Sequence, residues 1–311
     1  MEPIELKERF NVKIEPSKPF NYLYTFWKPS HFYTGLEKHT KTCTWRSFRI
    51  SKDLLVGAKI EDKQDHLNLT VYSNITISDE NKEKIINRVI RSYGLHEKSD
   101  VRNKRNYPKK LKQLIKKFNG MRISCPESLY EMSIISLVLQ NATINRTIQM
   151  FSNLLDNYGK IIKFDEKILK VFFSPDEMLN VSEEELKEVC RLGYRKKYIV
   201  PYSIFFLNNS DEELMSLEKN ELLEKLQQIK GVGTYTSNVL ASHVLRSKSD
   251  VGLDCWNTKI FGKYLFDDEN ISIENLYIKL EKEYSEDRGI ICTYIIEEEY
   301  ESNPANLLED K

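Results

Sequence analysis

Leu226 to Ala241 reads LQQIKGVGTYTSNVLA, and this stretch decides the fold. A helical pattern meets the turn Gly231-Val-Gly233, and a second helical pattern follows at once. Glycine adopts backbone conformations that side chains prevent, so a tight turn with an accessible backbone is expected. We expect Thr234 to cap the second helix, whose free N–H groups and positive dipole end suit an anion. A DNA phosphate fits this description, although an ordinary connection between two helices also fits the turn alone.

A carboxylate follows the hairpin at the start of another helical pattern. Asp254 stands directly ahead of the run CWNTKIFGKYLF. A helix N-terminus stabilises an ionised acid through its dipole and its free N–H groups. Taken alone, the position is typical of an ordinary helix cap.

The hairpin and this aspartate together resemble the helix-hairpin-helix DNA glycosylase superfamily, which includes 8-oxoguanine and 3-methyladenine DNA glycosylases. The resemblance covers most of residues 119–265 and implies that Asp254 is the catalytic carboxylate. It implies that the motif at 221–246 binds backbone phosphates of duplex DNA, here through Gly231, Gly233 and Thr234. It also implies a structural monovalent or calcium ion at the hairpin, held by the backbone carbonyls of Gln227, Ile229 and Val232. No other cofactor is expected.

Two further stretches strengthen the likeness to the 8-oxoguanine branch. RLGYRKKY, from Arg191, is similar to an LGYRxxY segment of that branch, and LQNATINR, from Leu139, is similar to its loop that enters the duplex. The resemblance implies that Asn141 fills the gap left by a flipped nucleotide and that Tyr194 wedges the base stack. It implies that two arginines contact the widowed partner base, namely Arg146 and Arg195. Without the family resemblance, the same residues are typical of an asparagine that joins two helices, a core tyrosine and surface arginines.

The residue after the hairpin's GVGT separates two mechanisms. Bifunctional members of the superfamily carry a lysine there, and this chain has Tyr235. Because a phenol forms no Schiff base, we predict a hydrolase of N-glycosyl bonds without lysine-type lyase activity. An aromatic residue here is similar to the alkylation-repair branch, so we expect Tyr235 to line the base pocket with Trp27 and Phe32. Core packing of Tyr235 is an equal alternative.

The predicted substrate is an alkylated purine such as 3-methyladenine. An 8-oxoguanine-type glycosylase and lyase remains an alternative, as does a helix-hairpin-helix protein that binds DNA without catalysis. The sequence lacks the four-cysteine signature of endonuclease III, and its five cysteines have no spacing for an iron–sulfur cluster or a zinc site.

The chain pattern predicts an α+β fold. Short alternating segments at 45–50, 54–60 and 67–77 indicate an N-terminal antiparallel β-rich domain, and Ser78 is expected to begin a helix. Residues from about 119 to 296 read as helix throughout. We therefore predict a β-sheet-plus-helices domain at 1–118 and a helical glycosylase domain at 119–311.

Charge and hydropathy limit which binding partners are expected. The 47 basic and 47 acidic residues balance, which is mild evidence against a nucleic-acid binder. Basic residues nevertheless cluster at 102–117, as a phosphate-contacting patch or a solvated helix face, and acids cluster at 297–301. No apolar run is long enough for a membrane span or a signal core. We expect a monomer in the cytoplasm, nucleoid or nucleus, not secreted, whose partner is duplex DNA containing a damaged base.

Overall fold

The computed structural model describes residues 2–31, 34–98, 101, 107–246 and 248–302. Within this part of the chain, a five-stranded antiparallel sheet has the order β2-β6-β5-β4-β3. Its strands are β2 (Glu8–Ile14), β3 (Glu37–His39), β4 (Cys43–Arg49), β5 (Leu55–Asp62) and β6 (Leu67–Ser73). The antiparallel sheet predicted near the N-terminus is confirmed, with strand ends shifted by a few residues.

Helix α2 (Asp79–Ser92) covers one face of this sheet. It begins where the sequence predicts, because the Ser78 side chain accepts a hydrogen bond from Asn81 N. Ile85 and Val89 of α2 pack with Val56 of β5 in a shared core. A short helix, α1 (Tyr22–Phe26), contributes rings to the same core.

The other face of the sheet is covered by a hairpin that the sequence analysis missed. Residues 119–296 were expected to be helical throughout, and this is wrong at β7 (Lys160–Phe164) and β8 (Lys167–Val171). The turn between them places Asp165 and Glu166 at φ values of 45° and 59°, the left-handed pair that two-residue hairpins favour. The N-terminal strand β1 (Ile4–Glu5) pairs in parallel with β7 and completes a three-stranded sheet.

The remaining elements are helices. They are α3 (Lys109–Lys117), α4 (Leu129–Leu139), α5 (Ile144–Tyr158), α6 (Glu183–Glu188), α7 (Lys196–Asn208), α8 (Asp211–Met215), α9 (Lys219–Gln227), α10 (Thr234–Leu245), α11 (Cys255–Phe266), α12 (Ile273–Tyr284) and α13 (Arg288–Ser302). Helix α4 is buried on nearly every side and packs against α5, α7 and α10. Its central position explains why its sequence is almost entirely apolar.

A second helical core joins α3 to the last three helices. Leu111 and Leu114 of α3 share this core with Phe261 of α11 and Ile291 of α13. Residues on both sides of the predicted boundary at 118 therefore pack together, and the division into domains remains a prediction. Of the described helices, none combines the length and apolar character needed to cross a bilayer.

Candidate active site

The hairpin between α9 and α10 has the expected tight turn. Val232 N donates to Ile229 O at 2.9 Å. Gly231 has φ +96°, and a Cβ built on it would lie 2.7 Å from the ring of Tyr198. Both the backbone conformation and the neighbouring ring therefore require glycine at 231. Gly233 has no atom within 4 Å of an added Cβ, so its small size leaves open space in front of the turn.

The cap of α10 differs from the prediction. Gly233 is the N-cap residue, Thr234 is the first residue of the helix, and the cap has no side-chain hydrogen bond. The expectation that Thr234 caps α10 is therefore wrong, because the helix begins one residue earlier than assumed. Gly233, Thr234 and Tyr235 are exposed. The first turn thus presents its N–H groups to solvent rather than to a capping oxygen.

Asp254 is the N-cap of α11. Its Oδ1 accepts from Trp256 N and from Asn257 N, both at 2.8 Å. Asn257 returns the bond, since its Oδ1 accepts from Asp254 N at 2.8 Å. Asn257 Nδ2 also donates to Gly252 O at 2.7 Å, which fixes the loop ahead of the helix. Both backbone donors bind Oδ1, and with the bonds of Asn257 they hold the carboxylate rigidly.

Tyr235 lies beside this carboxylate. Tyr235 is 49% exposed, and partial loss of hydration first, and then the charge and hydrogen bonding of Asp254, raise its pKa above the ordinary value. The phenol therefore stays neutral and donates towards Asp254 at physiological pH. The first turn of α10 and the N-terminus of α11 thus meet at one point on the surface.

Two aromatic residues that the sequence analysis missed complete this surface. Burial first, and then the charges of Glu297 and Asp254, raise the pKa of Tyr300. Trp256 is 47% exposed, and its ring centroid lies 5.9 Å from that of Tyr300. Trp256 was visible as the second residue after the aspartate, whereas Tyr300 stands in an acidic segment that carried no recognisable motif.

A cavity of about 280 Å³ opens beside the Asp254 loop. It lies between residues 28–30, α10, α11 and α13, and Val239, Gly252 and Asn257 contribute to its walls. Glu297 is 1% exposed and accepts from Ser30 N at 2.8 Å and from Ser30 Oγ at 2.7 Å. This pair fixes the segment at 28–30 against α13 and so sets one wall of the cavity.

Asn141 and Tyr194 come together on a second exposed surface. Asn141 Nδ2 lies 3.4 Å from Tyr194 Oη, and Asn141 adopts φ +47°. Tyr194 is 46% exposed although it is aromatic. Gln140 Nε2 contacts Thr236 Oγ1 at 3.4 Å, which connects this loop to the first turn of α10. The two residues predicted to enter the duplex therefore project near the hairpin.

The two arginines have different surroundings. Arg146 donates to Gln149 Oε1 at 2.5 Å and also to Arg191 O. Arg195 was expected at the surface, but it is 6% exposed. It donates to Leu137 O at 3.2 Å and to Gln140 O, because the last carbonyls of α4 need partners and attract a cation. Arg195 therefore braces the Asn141 loop, and contact of either arginine with a partner base remains a prediction.

Two residues of the predicted base pocket, Trp27 and Phe32, come from the N-terminal part of the chain. Phe32 lies outside the described residues. The ring of Trp27 packs against the rings of His31 and His39, at centroid distances of 5.0 and 4.6 Å. The structure thus places Trp27 among histidines, and its part in a base pocket with Tyr235 remains a prediction.

The basic cluster is partly neutralised. Residues 102–106 lie outside the described part of the chain. On α3, Lys117 pairs with Glu298 and with Glu301, the latter at 2.7 Å. Lys110 stands 3.5 Å from the ring centroid of Tyr264. The acidic segment of α13 therefore lies against the basic helix, which favours a solvated helix face over a phosphate-contacting patch for this part.

Comparison with known proteins places the fold. No protein-family model and no curated protein matches this chain. Among solved structures, a 3-methyladenine DNA-glycosylase from Archaeoglobus fulgidus has a TM-score of 0.75 at 17% identity, covering 93% of this chain and 98% of that one. MBOgg1, solved with a low affinity DNA ligand, has a TM-score of 0.73 at 18% identity, covering 96% and 98%. An 8-oxoguanine glycosylase/lyase from Clostridium acetobutylicum has a TM-score of 0.70 at 19% identity, covering 95% and 98%.

These matches extend over nearly the whole chain, so the protein has the α+β fold of the helix-hairpin-helix DNA glycosylases. The resemblance predicted from the hairpin is confirmed at the level of the fold. Identities below one fifth do not distinguish the 3-methyladenine type from the 8-oxoguanine type.

Proposed function

We propose that this protein is a base-excision DNA glycosylase that flips a damaged base from duplex DNA and hydrolyses its N-glycosidic bond. The observation that carries the proposal is the meeting of Asp254 with Tyr235 at the base of the hairpin. A module that only binds phosphate gains nothing from a fixed carboxylate at this point, whereas base excision needs one. The hairpin backbone and the open N-terminus of α10 would hold the DNA phosphates.

The chemistry follows from the charge that develops during cleavage. Breaking an N-glycosidic bond builds positive charge on the sugar, as in other glycoside hydrolyses. The Asp254 carboxylate would stabilise that charge and orient the attacking water. Its two backbone donors and Asn257 fix it in place before the substrate arrives. Preorganisation of this kind avoids rearranging the site during the reaction.

Opening of the duplex would depend on the exposed surface formed by Asn141 and Tyr194. Flipping a base costs a few kcal/mol, and least for a base that is damaged or poorly paired. Asn141 and Tyr194 would fill the vacated stack and offset part of that cost. Their proximity, 3.4 Å between Nδ2 and Oη, supports a joint role.

We propose alkylated purines such as 3-methyladenine as the substrate class. Tyr235 lies beside the Asp254 carboxylate, and Tyr300, which is close enough to respond to its charge, packs against Trp256. A positively charged base is attracted to aromatic rings and to nearby carboxylates. Tyr235 in place of a lysine favours a monofunctional enzyme. The Asn141–Tyr194 pair favours 8-oxoguanine as the second candidate, since it matches the segments that resemble that branch.

We also propose a structural monovalent or calcium ion at the hairpin, bound by the carbonyls of Gln227, Ile229 and Val232. Ile229 O already accepts from Val232 N, and a carbonyl retains a second lone pair. Oxygen donors of this type suit hard cations. The ion would hold the turn in position against a phosphate.

The test uses duplexes that each carry a single defined lesion. Strand breaks are scored with and without hot alkali, for the wild type and for Asp254→Asn, which retains an oxygen for the helix cap. We expect breaks only after alkali, from an alkylated-purine duplex, and a loss of at least ~100-fold in the variant. Asp267→Asn, at the other end of α11, is the control. Tight duplex binding without release of any lesion would favour a non-catalytic module.

A further inference from the structure

A buried cluster of two histidines and a glutamate lies behind the wall of the cavity. His31, Glu37 and His39 place one ligand atom each within 4.8 Å of one another. Glu37 and His39 alternate on β3, so their side chains leave the same face of the strand. His31 reaches them from the segment after α1. The sequence analysis found no role for these histidines, because the three residues become neighbours only when that segment folds onto β3.

Both histidines direct Nε2 at the same carboxylate. His31 Nε2 lies 2.6 Å from Glu37 Oε1, and His39 Nε2 lies 3.6 Å from Glu37 Oε2. The side chains of Glu37 and His39 are 2% and 6% exposed. Within the described part of the chain, the two Nε2 atoms and Glu37 Oε1 are buried without a hydrogen bond of acceptable geometry. Buried polar atoms of this kind call for a partner.

A chain of hydrogen bonds fixes the tautomer of His39. The Tyr22 hydroxyl donates to Ile60 O at 3.1 Å, so it accepts from the Thr44 hydroxyl at 2.8 Å. Thr44 Oγ1 then accepts from His39 Nδ1 at 3.0 Å. With its proton on Nδ1, a neutral His39 turns the lone pair of Nε2 towards the Glu37 carboxylate. A lone pair and a carboxylate repel one another unless a cation or a proton lies between them.

Metal-binding histidines have this arrangement. Their second ring nitrogen usually donates to a fixed acceptor, which orients the lone pair of the other nitrogen towards the metal. Two imidazoles and a carboxylate are a common ligand set for zinc, with Zn–N and Zn–O distances of about 2.0–2.2 Å. Ligand atoms separated by 2.6 and 3.6 Å approach such an ion with small side-chain shifts.

The surrounding charges leave room for a cation. Arg46 is completely buried, with Nη1 3.3 Å from Glu37 Oε1. It also faces Glu127 at 3.8 Å and Glu131 at 3.9 Å. Arg88 lies 3.8 Å from Glu131. Three carboxylates thus stand against two guanidinium groups, so the net negative charge of these groups favours binding of a cation.

We propose that His31, Glu37 and His39 form a zinc site, with the Glu37 carboxylate and the two Nε2 atoms as ligands. Water would complete the tetrahedron. The ion would tie the segment at 27–31 to β3. Because Ser30 in this segment is held by Glu297 at the cavity, the zinc site would also fix that wall.

The full-length protein is stripped with a chelator and titrated with Co²⁺, whose visible ligand-field bands report tetrahedral coordination. We expect one equivalent of Co²⁺ to bind, one equivalent of Zn²⁺ to displace it, and Zn²⁺ to raise the melting temperature. His31→Ala should abolish all three responses. His96→Ala, at an exposed histidine of the described chain, should leave them unchanged.

The choice of variant keeps folding separate from binding. His31 is 15% exposed and therefore less critical for packing than His39. If His39→Ala fails to fold, the Co²⁺ titration of His31→Ala still tests the proposed ligands. Circular dichroism of the stripped wild type shows whether the protein stays folded without metal. Absence of Co²⁺ bands in the wild type would overturn the proposal and leave a doubly protonated His39 as the partner of Glu37. Bands that survive in His31→Ala would overturn it equally. Neither outcome depends on DNA or on base excision.

Discussion

Asn141 Nδ2 lies 3.4 Å from Tyr194 Oη, although 53 residues separate the two in the chain. The pair stands on a rigid support, because Arg195 beneath it is bonded to carbonyls at the end of α4 and packs over the Tyr194 ring at 4.7 Å. An exposed asparagine and tyrosine on a buried arginine form a preorganised surface rather than a pair of loose loops.

Replacement of Tyr194 by alanine should impair base release. Since filling the vacated stack offsets a flipping cost of a few kcal/mol, we expect release to slow by roughly 10-fold or more. The free energy of unfolding should change little, because Tyr194 is 46% exposed. Single-turnover release from a lesion duplex is the measurement. Tyr277→Ala, at a tyrosine that is 40% exposed on α12, serves as the control. Equal losses in both variants would refute the assignment.

Replacement of Tyr235 by lysine should add strand cleavage. A lysine amine at this position would lie beside Asp254, where it can attack the sugar and form a Schiff base. We expect a covalent complex with DNA that borohydride traps, in a variant whose parent shows none. Tyr235→Phe controls for loss of the phenol and should give no trapped complex. Trapping by the wild type would show that another lysine acts and that the prediction of a monofunctional enzyme is wrong.

The two hairpin glycines should respond differently to alanine. Gly231→Ala forces a side chain into φ +96° and against the Tyr198 ring, which should cost about 1–3 kcal/mol of unfolding free energy. Gly233→Ala meets open space and keeps a negative φ, but alanine is a poorer N-cap residue than glycine, so this variant should cost less, about 0.5–1 kcal/mol.

The same two variants separate stability from DNA binding. The new methyl group of Gly233→Ala would stand where a phosphate is expected, so duplex affinity should fall although stability falls less than in Gly231→Ala. Urea denaturation and duplex titration at fixed salt measure the two quantities. Unchanged affinity in Gly233→Ala would place the phosphate elsewhere.

The β7–β8 hairpin should make stability depend on pH. Partial burial opposes ionisation of Asp165, but hydrogen bonds from Trp45, Lys59 and Tyr72 outweigh it and hold the pKa below its ordinary value of 3.8. A lowered folded pKa stabilises the protein fully above the unfolded pKa, and this contribution is lost as the pH falls through the folded pKa.

Asp165→Asn tests this dependence. Asparagine tolerates the same left-handed backbone, so the variant changes mainly the charge. We expect it to be about 1–3 kcal/mol less stable than the wild type at pH 7 and to approach the wild type as the pH falls through the lowered pKa of folded Asp165. Asp267→Asn, at an exposed aspartate with φ 54°, should show no such convergence. Parallel stability curves for Asp165→Asn and the wild type would contradict the prediction.

Local patterns predicted the features that depend on neighbouring residues. The hairpin at Gly231, the helix start at Ser78 and the cap at Asp254 follow from turn and capping chemistry that acts within a few positions. The β7–β8 hairpin was also visible in principle, since KIIKFDEKILKV alternates around a two-residue turn. A strand that interrupts a helical region was missed because the surrounding pattern dominated the interpretation.

Features made by distant segments were not accessible in the same way. Tyr300 comes near the charge of Asp254 only because α13 packs beside α11. Arg195 is buried because the end of α4 supplies carbonyls, and nothing in RLGYRKKY distinguishes a buried arginine from an exposed one. The packing of Trp27 against His31 and His39 was not predicted, because the path of the chain after α1 is a tertiary property.

The pairing of β1 with β7 constrains the order in which the protein can assemble. Ile4 lies opposite Ile162, and Glu5 lies opposite Lys163, so about half of the chain separates the partners. During synthesis the first strand has no place in its sheet until the ribosome has released the hairpin that receives it. The five-stranded sheet, whose partners lie within the first 73 residues, can form earlier. Pairings of long sequence separation are closed late and slowly, so the extreme N-terminus should be among the last segments to become protected from hydrogen exchange during refolding.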